Sequence, residues 1–251
     1  MPATTLGVIP ARYESSRFPG KPLVIIDGKS MIMRVYEQAL KSKMLDKVIV
    51  ATDDDRIFNH VKENGGEVMM TSALHVSGSS RIGEVAEKLS VLGVCPYDVV
   101  MNIQGDEPFI DPLQIDLAVS LLQNPDSQIG TLIMKITDNA DIFNPNIVKV
   151  VVDNANNAMY FSRSPIPYFR GLAQENWLQN HDYYRHIGLY AFRTSILKTI
   201  LDLPPVPFEI AESLEQLRWL HHGFKISTAI TDIETVGIDV PADLLKLTNK
   251  I

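Results

Sequence analysis

Leu6-Gly-Val-Ile-Pro10-Ala-Arg12-Tyr-Glu-Ser15-Ser16-Arg17-Phe-Pro-Gly20-Lys21-Pro22 joins an unbroken apolar run to a loop holding three cations and a glycine. An apolar run without polar alternation reads as a strand buried on both faces, as in a parallel sheet covered by helices. Working outward, Lys47–Ala51, Glu67–Met70 and Asp98–Ile103 are runs of the same kind. Between them, Ser30–Lys43 sets Met31, Ile32, Val35, Tyr36, Ala39 and Leu40 on one helical stripe, with Ser30 as N-cap. Asp54–Asn64, closed by Gly65-Gly66, and Ser79–Leu92 read as two more helices. Strand–helix alternation with short connections predicts an α/β fold built on a doubly wound, mostly parallel sheet. Such sheets take ligands at the carboxyl ends of their strands.

The second half changes pattern. Ile147–Val152 and Ala158–Ser162 flank the polar turn Asp153–Asn157 and read as a hairpin. Ser164–Tyr183 holds Pro165, Pro167 and Gly171 among few apolar positions, which predicts a long loop or lid. His186–Phe192 returns as a strand, Glu209–His221 as a helix, Lys225–Ile230 as a strand, and Pro241 opens a final helix over Ala242–Thr248. No repeat or linker divides the chain. It reads as a single domain over 1–251 with a β-rich insertion at about 147–192.

With 23 basic and 30 acidic residues the formal charge is −7, and no basic stripe exists of the kind nucleic acid requires. Cys95 is the only cysteine, so no intrachain disulfide or thiolate cluster can form, and inert packing is its expected role. No signal-peptide pattern and no run of eighteen apolar residues occurs. A cytoplasmic protein without membrane insertion is expected.

Against that acidic background, Arg12, Arg17 and Lys21 give the first loop a local charge of about +2 after Glu14 is counted. Gly20 permits close backbone approach, and Ser15 and Ser16 add hydroxyls and N–H groups. A polyphosphate suits such a loop, since Arg grips its oxygens bidentately and Lys adds a point charge. It is not a Walker loop, because Pro22 follows Lys21.

Two carboxylates stand out at distant positions. Asn102-Ile-Gln104-Gly-Asp106-Glu107-Pro108 ends a strand, with Gln104 and Asp106 on one face if the extended pattern continues. Gly237-Ile-Asp239-Val-Pro241 precedes the final helix. Mg²⁺ is held by one or two carboxylates plus substrate phosphates, so the two would suit it together. Taken alone, Asp106 is equally a turn residue before Pro108, and Asp239 an N-cap. Asp53-Asp54-Asp55 contains a formal D-x-D, but it opens a helix, and capping explains it. Neither His181 with His186 nor His221-His222 has the partners a zinc site needs.

Ile9-Pro-Ala-Arg12, Ser16-Arg17, Pro19-Gly-Lys-Pro22, Gln104-Gly-Asp-Glu-Pro108 and Gly237-Ile-Asp239-x-Pro241 resemble, in order, the motifs of sugar-acid cytidylyltransferases, and most of all the CMP-Kdo synthetase (3-deoxy-manno-octulosonate cytidylyltransferase) family. The resemblance implies a Rossmann-like nucleotidyltransferase sheet and transfer of CMP from CTP to the octulosonate Kdo, with release of pyrophosphate for lipopolysaccharide synthesis. It implies Arg12, Ser15, Ser16, Arg17, Lys21, Arg81 and Asp106 at the nucleotide, and Asp106 and Asp239 as Mg²⁺ ligands. Catalysis would rest on Arg12, Arg17, Lys21, Asp106 and Asp239. Phe161-Ser-Arg163, His186-Ile-Gly-Leu-Tyr190 and Glu212-Ser-Leu-Glu215-Gln216 resemble the sugar side. They imply Gln104, Arg163, His186, Tyr190, Glu215 and Gln216 there. A homodimer is also implied, for which the apolar residues of Ile147–Phe161 would serve.

Two departures from the family pattern stand near these motifs. Ser80 replaces an acidic residue before Arg81, and Phe169 replaces the Asp of an Ile-Pro-Trp-Asp-Arg stretch. A changed sugar, the 8-amino analogue of Kdo, is one reading of them, and surface drift is the other. A metal-dependent nucleotide-sugar glycosyltransferase would share the sheet and carboxylates without releasing pyrophosphate from CTP. A non-catalytic nucleotide-binding module would bind CTP and turn nothing over.

Overall fold

Alternate residues of each inner strand bury on opposite faces of the sheet, and helices cover both. The computed structural model describes residues 3–14, 18–75, 77–93 and 97–244, so Ser15, Ser16, Arg17 and Cys95 lie outside the described residues. In chain order, β1 (Thr5–Ala11) leads through the cationic loop to a small hairpin, β2 (Ile25–Ile26) and β3 (Lys29–Ser30). Then follow α1 (Met31–Ala39), β4 (Lys47–Thr52), α2 (Asp55–Glu63), β5 (Val68–Met70), α3 (Gly78–Val91) and β6 (Val99–Asn102). The next elements are α4 (Pro112–Ser120), β7 (Ile129–Lys135), α5 (Asn139–Phe143), β8 (Lys149–Val152), β9 (Ala158–Ser162) and α6 (Trp177–Asn180). Last come β10 (Tyr184–Arg193), α7 (Thr194–Leu201), α8 (Pro207–Glu212), α9 (Gln216–His221) and β11 (Ile226–Ile230).

The main sheet runs β11-β7-β10-β6-β1-β4-β5, and the β8–β9 hairpin joins it through β10. β5, β4, β1 and β6 are mutually parallel, as are β7 and β11, whereas β10 is antiparallel to both of its main-sheet neighbours. On one face Ile9 and Ala11 of β1, Val48 and Val50 of β4, and Val99 and Met101 of β6 pack under α1, α2 and α4. On the other, Leu6 and Val8, Ile49 and Ala51, and Val100 pack under α3, α7 and α9. Each of these buried Val, Leu, Ile and Met side chains contributes about 1.5–3 kcal/mol. Two filled faces therefore outweigh any single cap, worth about 1 kcal/mol. Among the described residues no helix is long and apolar enough to cross a membrane.

The structure corrects four readings. Glu209–His221 is two helices, because Ser213 adopts the left-handed region (φ 52°) and turns the chain between α8 and α9. Ser164–Tyr183 contains the short helix α6, anchored by the buried Trp177 over an apolar cluster with Ile136, Ile142 and Tyr183. The strand of Asp98–Ile103 stops at Asn102, and Gly105-Asp106 form a turn, so Gln104 and Asp106 do not continue a strand face. Pro241–Asp243 is a single 3₁₀ turn rather than the start of a described α-helix, and the rest of that predicted helix, past Leu244, lies outside the described residues.

After β11 the chain leaves the sheet as an irregular strap. Gln114 of α4 donates to Ile233 O, and Ile238 is buried with Ile26 and Met31. This strap brings Asp239 to the carboxyl ends of β1 and β6.

Candidate active site

The first loop is closed at its base. Gly20 takes φ 70°, donates its N–H to Tyr13 O at 2.8 Å, and lies beneath the Tyr13 ring. The Arg56 guanidinium stacks on that ring, 3.2 Å from its centroid, and pairs with Asp54. Asp54 also caps α2 by accepting from Arg56 N–H, and Asp53 pairs with Arg81, so two of the three aspartates in that run serve the fold. Arg12 is half-buried. Burial and the neighbouring Arg81 lower its pKa, and Asp53 partly offsets them.

Lys21 reaches inward from the loop. Its ammonium donates to Asp106 Oδ2 and to Ile238 O, both at 2.8 Å, and lies 3.5 Å from Asp239 Oδ1. The two carboxylates, 133 positions apart in sequence (239 − 106), thus converge on one cation. Ile238 N–H donating to Asp106 O at 2.9 Å fixes the strap against the turn. Among the described residues no group of three or more His, Cys, Asp or Glu could cage a metal, so a cation here would be left open to further ligands.

Gly105 matters sterically, since a Cβ there would lie 2.6 Å from Pro10 O. Gly105→Ala should therefore cost about 1–3 kcal/mol in urea unfolding, because backbone rather than a flexible side chain has to move. The Pro10–Gly105 junction joins loop to turn, so activity should fall with it.

Beside the carboxylates lies a cavity of about 170 Å³ lined by Pro10, Gly78, Ser79, Asn102, Gln104, Tyr190 and Glu215. Gln104 Nε2 donates to Gly188 O at 2.7 Å, where β10 shifts register against β7. Glu215 accepts from Ser79 Oγ at 2.7 Å and Ser77 Oγ at 3.2 Å, while Arg218 is taken mainly by Glu209. Asn102 Oδ1 has no hydrogen-bond partner among the described residues, and the Tyr190 hydroxyl, though near Thr131, makes no well-formed bond either. Unpaired buried polar atoms are costly, and here they face a cavity able to supply a polyhydroxyl partner. Burial, and then the Glu215 charge, push the Tyr190 phenol far up, so it stays a neutral donor.

His186 lies deeper, its Nε2 3.0 Å from Thr131 Oγ1 and its ring against Phe161 and Tyr190. One edge keeps some exposure, but the ring is enclosed, and burial lowers its pKa to about 3. Glu107 shifts oppositely, pushed up to about 7 by burial and then by Asp106. As pH falls from about 6.5 the unfolded chain protonates His186 while the folded one does not, so this residue lowers stability. As pH falls from about 7 to 4.5 the folded chain holds a proton on Glu107 that the unfolded chain lacks, so that residue raises stability. Between about pH 4.5 and 6.5 the two oppose each other. In metal-free protein His186→Asn should therefore gain stability with acid over this window and Glu107→Gln should lose it. Denaturant titrations at several pH values would show two slopes of opposite sign, and parallel slopes would refute the pairing.

Other expected site residues are occupied structurally. Arg81 is fully buried, donating from Nη1 to Thr71 Oγ1 at 2.5 Å and from Nη2 to Asp53 at 2.9 Å, and it supports Asp53 beside Arg12. Arg163 grips the carbonyls of Glu212 and Pro145, while its N–H and Ser162 hold the Glu212 carboxylate. Gln216 is buried at the start of α9. The sequence reading missed Ser79, Asn102 and Lys149, and also Ser77, which a Ser-x-x-Ser cap before α3 signalled. The Lys149 ammonium is fully buried against the carbonyls of Asn144, Ile147 and Arg163.

Both departures from the family pattern have local explanations. Ser80 closes a reciprocal capping box with Ser77 at the start of α3, a place where serine replaces an acidic side chain without loss of the cap. Phe169 packs into the Trp177 cluster.

Comparison with known proteins agrees with this geometry. Residues 6–226 match the family model described as Cytidylyltransferase. A 3-deoxy-manno-octulosonate cytidylyltransferase of Parabacteroides distasonis is 52% identical over 96% of this chain and 95% of its own length. The protein of the same name from Cytophaga hutchinsonii is 51% identical over 97% and 96%. A solved CMP:2-keto-3-deoxy-manno-octonic acid synthetase complexed with CTP is 41% identical, with a TM-score of 0.90 over 99% of this chain and 98% of that one. A 4-diphosphocytidyl-2C-methyl-D-erythritol synthase from Anaerococcus prevotii, 12% identical at a TM-score of 0.62, shares the fold. With a polyphosphate-suited loop, a convergent carboxylate pair and matches along nearly its whole length, this chain belongs to the cytidylyltransferase family and is an enzyme of that class.

Proposed function

We propose that the protein transfers the cytidylyl group of CTP to 3-deoxy-manno-octulosonate and releases pyrophosphate. The observation that carries this is the meeting of Asp106, Asp239 and Lys21 between a cationic loop and a polar cavity of about 170 Å³. Two carboxylates already sharing a cation fit the donor set Mg²⁺ prefers, with phosphate oxygens to complete it. Bound there, Mg²⁺ would supply charge neutralisation at the α-phosphate and a more acidic acceptor hydroxyl.

The chain's own residues do the remaining work. Arg12 and Lys21, with Arg17 from outside the described residues, would bind the triphosphate and stabilise the charge that collects on departing pyrophosphate. Glu215, fixed by Ser77 and Ser79, would orient the sugar hydroxyls together with Gln104, Asn102 and Tyr190. The gain is mainly positioning, since phosphoryl-type transfer needs little covalent help. The Arg163 guanidinium and the His186 ring act behind this surface, holding α8 and β10. We infer a homodimer through the β8–β9 hairpin, where Met159 and Tyr160 are exposed. Sedimentation would show a dimer that Met159→Glu converts to monomer.

Pyrophosphate release from CTP and Mg²⁺, with Kdo and its 8-amino analogue in parallel, tests the reading. Release with Kdo that EDTA abolishes is expected. Because Ser80 and Phe169 are engaged in capping and packing, Kdo should be the better substrate. Silence with both sugars in protein that binds CTP would overturn the proposal.

A further inference from the structure

We infer that Lys21 is the built-in counter-cation of the Asp106–Asp239 pair, and that a divalent ion replaces it only once a nucleoside triphosphate draws the ammonium away. This rests on the proposed role of the two carboxylates as metal ligands. The ammonium has three N–H donors. Asp106 Oδ2 and Ile238 O take two of them at 2.8 Å, and Asp239 Oδ1 lies at salt-bridge distance, 3.5 Å away. The side chain is only 15% exposed, so the contact is shielded rather than screened at the surface. A divalent ion seeking the same oxygens meets a positive charge already bound to them, and the two cannot share Asp106 Oδ2.

The local backbone favours an exchange made by the side chain alone. Lys21 N–H is bonded to Phe18 O, Val24 N–H to Lys21 O and Leu23 N–H to Gly20 O, while Pro22 is buried. The four-carbon stem can swing the ammonium without moving that turn. A triphosphate held in the loop offers acceptors with more negative charge than one carboxylate. Departure of Lys21 then frees Asp106 Oδ2 beside phosphate oxygens, and a divalent ion lacks that combination of donors while the nucleotide is absent. Linkage requires the converse too: metal and triphosphate each raise the affinity of the other.

Mn²⁺ binding to the full-length, nucleotide-free protein, followed by the loss of the free-ion EPR signal, tests this without reference to turnover. The wild type should bind weakly. Lys21→Gln should bind Mn²⁺ at least about ten-fold more tightly, within the usual range of coupling between sites. Adding Asp106→Asn to that variant should remove the gain. Mg²⁺ should raise the melting temperature of Lys21→Gln and leave that of the wild type nearly unchanged. If Lys21→Gln gains nothing while CTP-dependent Mn²⁺ binding still needs Asp106, the exchange is wrong and the metal reading stands. If no form shows Asp106-dependent Mn²⁺ binding even with CTP, the metal reading fails and the exchange with it. Should Lys21→Gln not fold, the wild type decides alone. Tight, Asp106-dependent Mn²⁺ binding without nucleotide overturns the exchange. Binding that becomes tight only with CTP, beyond chelation by CTP in a protein-free control, supports it.

Discussion

Asp106→Asn releases pyrophosphate at least about a thousand-fold more slowly than the parent while keeping its fold, on the scale of losing an interaction made chiefly in the transition state. The substitution keeps size and removes one charge. Lys21 retains Ile238 O and Asp239 as partners, and Glu107 loses a repulsive neighbour, so stability should not fall. The triphosphate still meets Arg12 and a Lys21 released from Asp106, which offsets the lost coupling to the metal, so KM for CTP should change far less than kcat. The split between kcat and KM separates a catalytic from a binding role. Turnover within ten-fold of the parent would sink the assignment of Asp106 to the reaction centre.

Arg81→Ala loses stability by about 3–5 kcal/mol, the cost of breaking a buried pair from one side. The guanidinium is wholly enclosed, and its two nitrogens tie Thr71 and Asp53 to α3. Removing it leaves Asp53, whose side chain is 18% exposed, without its cation. The carboxylate then competes for Arg12, so KM for CTP should rise as well. Arg81→Lys should recover little, because one ammonium cannot span both partners. Urea unfolding reads the first effect and nucleotide titration the second. A loss below about 1 kcal/mol, typical of exposed pairs, would mean that the pair contributes little to the folded state.

The first half of the chain was legible because each buried strand is a local apolar run and each helix a local stripe. β1, β4 and β6 fall within a residue of their expected bounds, and α2 and α3 begin at identifiable caps. The order of strands was not legible, because pairing β10 antiparallel between β6 and β7 depends on partners far apart in sequence. β7, α4 and α7 escaped the sequence reading altogether, and the sheet has β7 as a buried inner strand. In the candidate site, the motifs located the loop and both aspartates, while nothing local announced that Lys21 would lie between them. Nor did anything local show that Arg81 is wholly enclosed or that Arg163 spans the carbonyls of Glu212 and Pro145. A cation inside a motif reads the same in sequence whatever internal bonds its side chain makes.

The strap after β11 has a consequence for how the protein is made. Lys21 and Ile238 are 217 positions apart, and Ser79 and Glu215 are 136 apart. A growing chain on the ribosome has β1, β4 and β6 available to pair long before residue 239 is synthesised. On the roles proposed for Asp106 and Asp239, catalytic competence arrives with this late segment, after the sheet beneath it has been laid down. On the same proposal the nascent chain, holding its cationic loop but only one of the two aspartates, consumes no nucleotide while it is still being built.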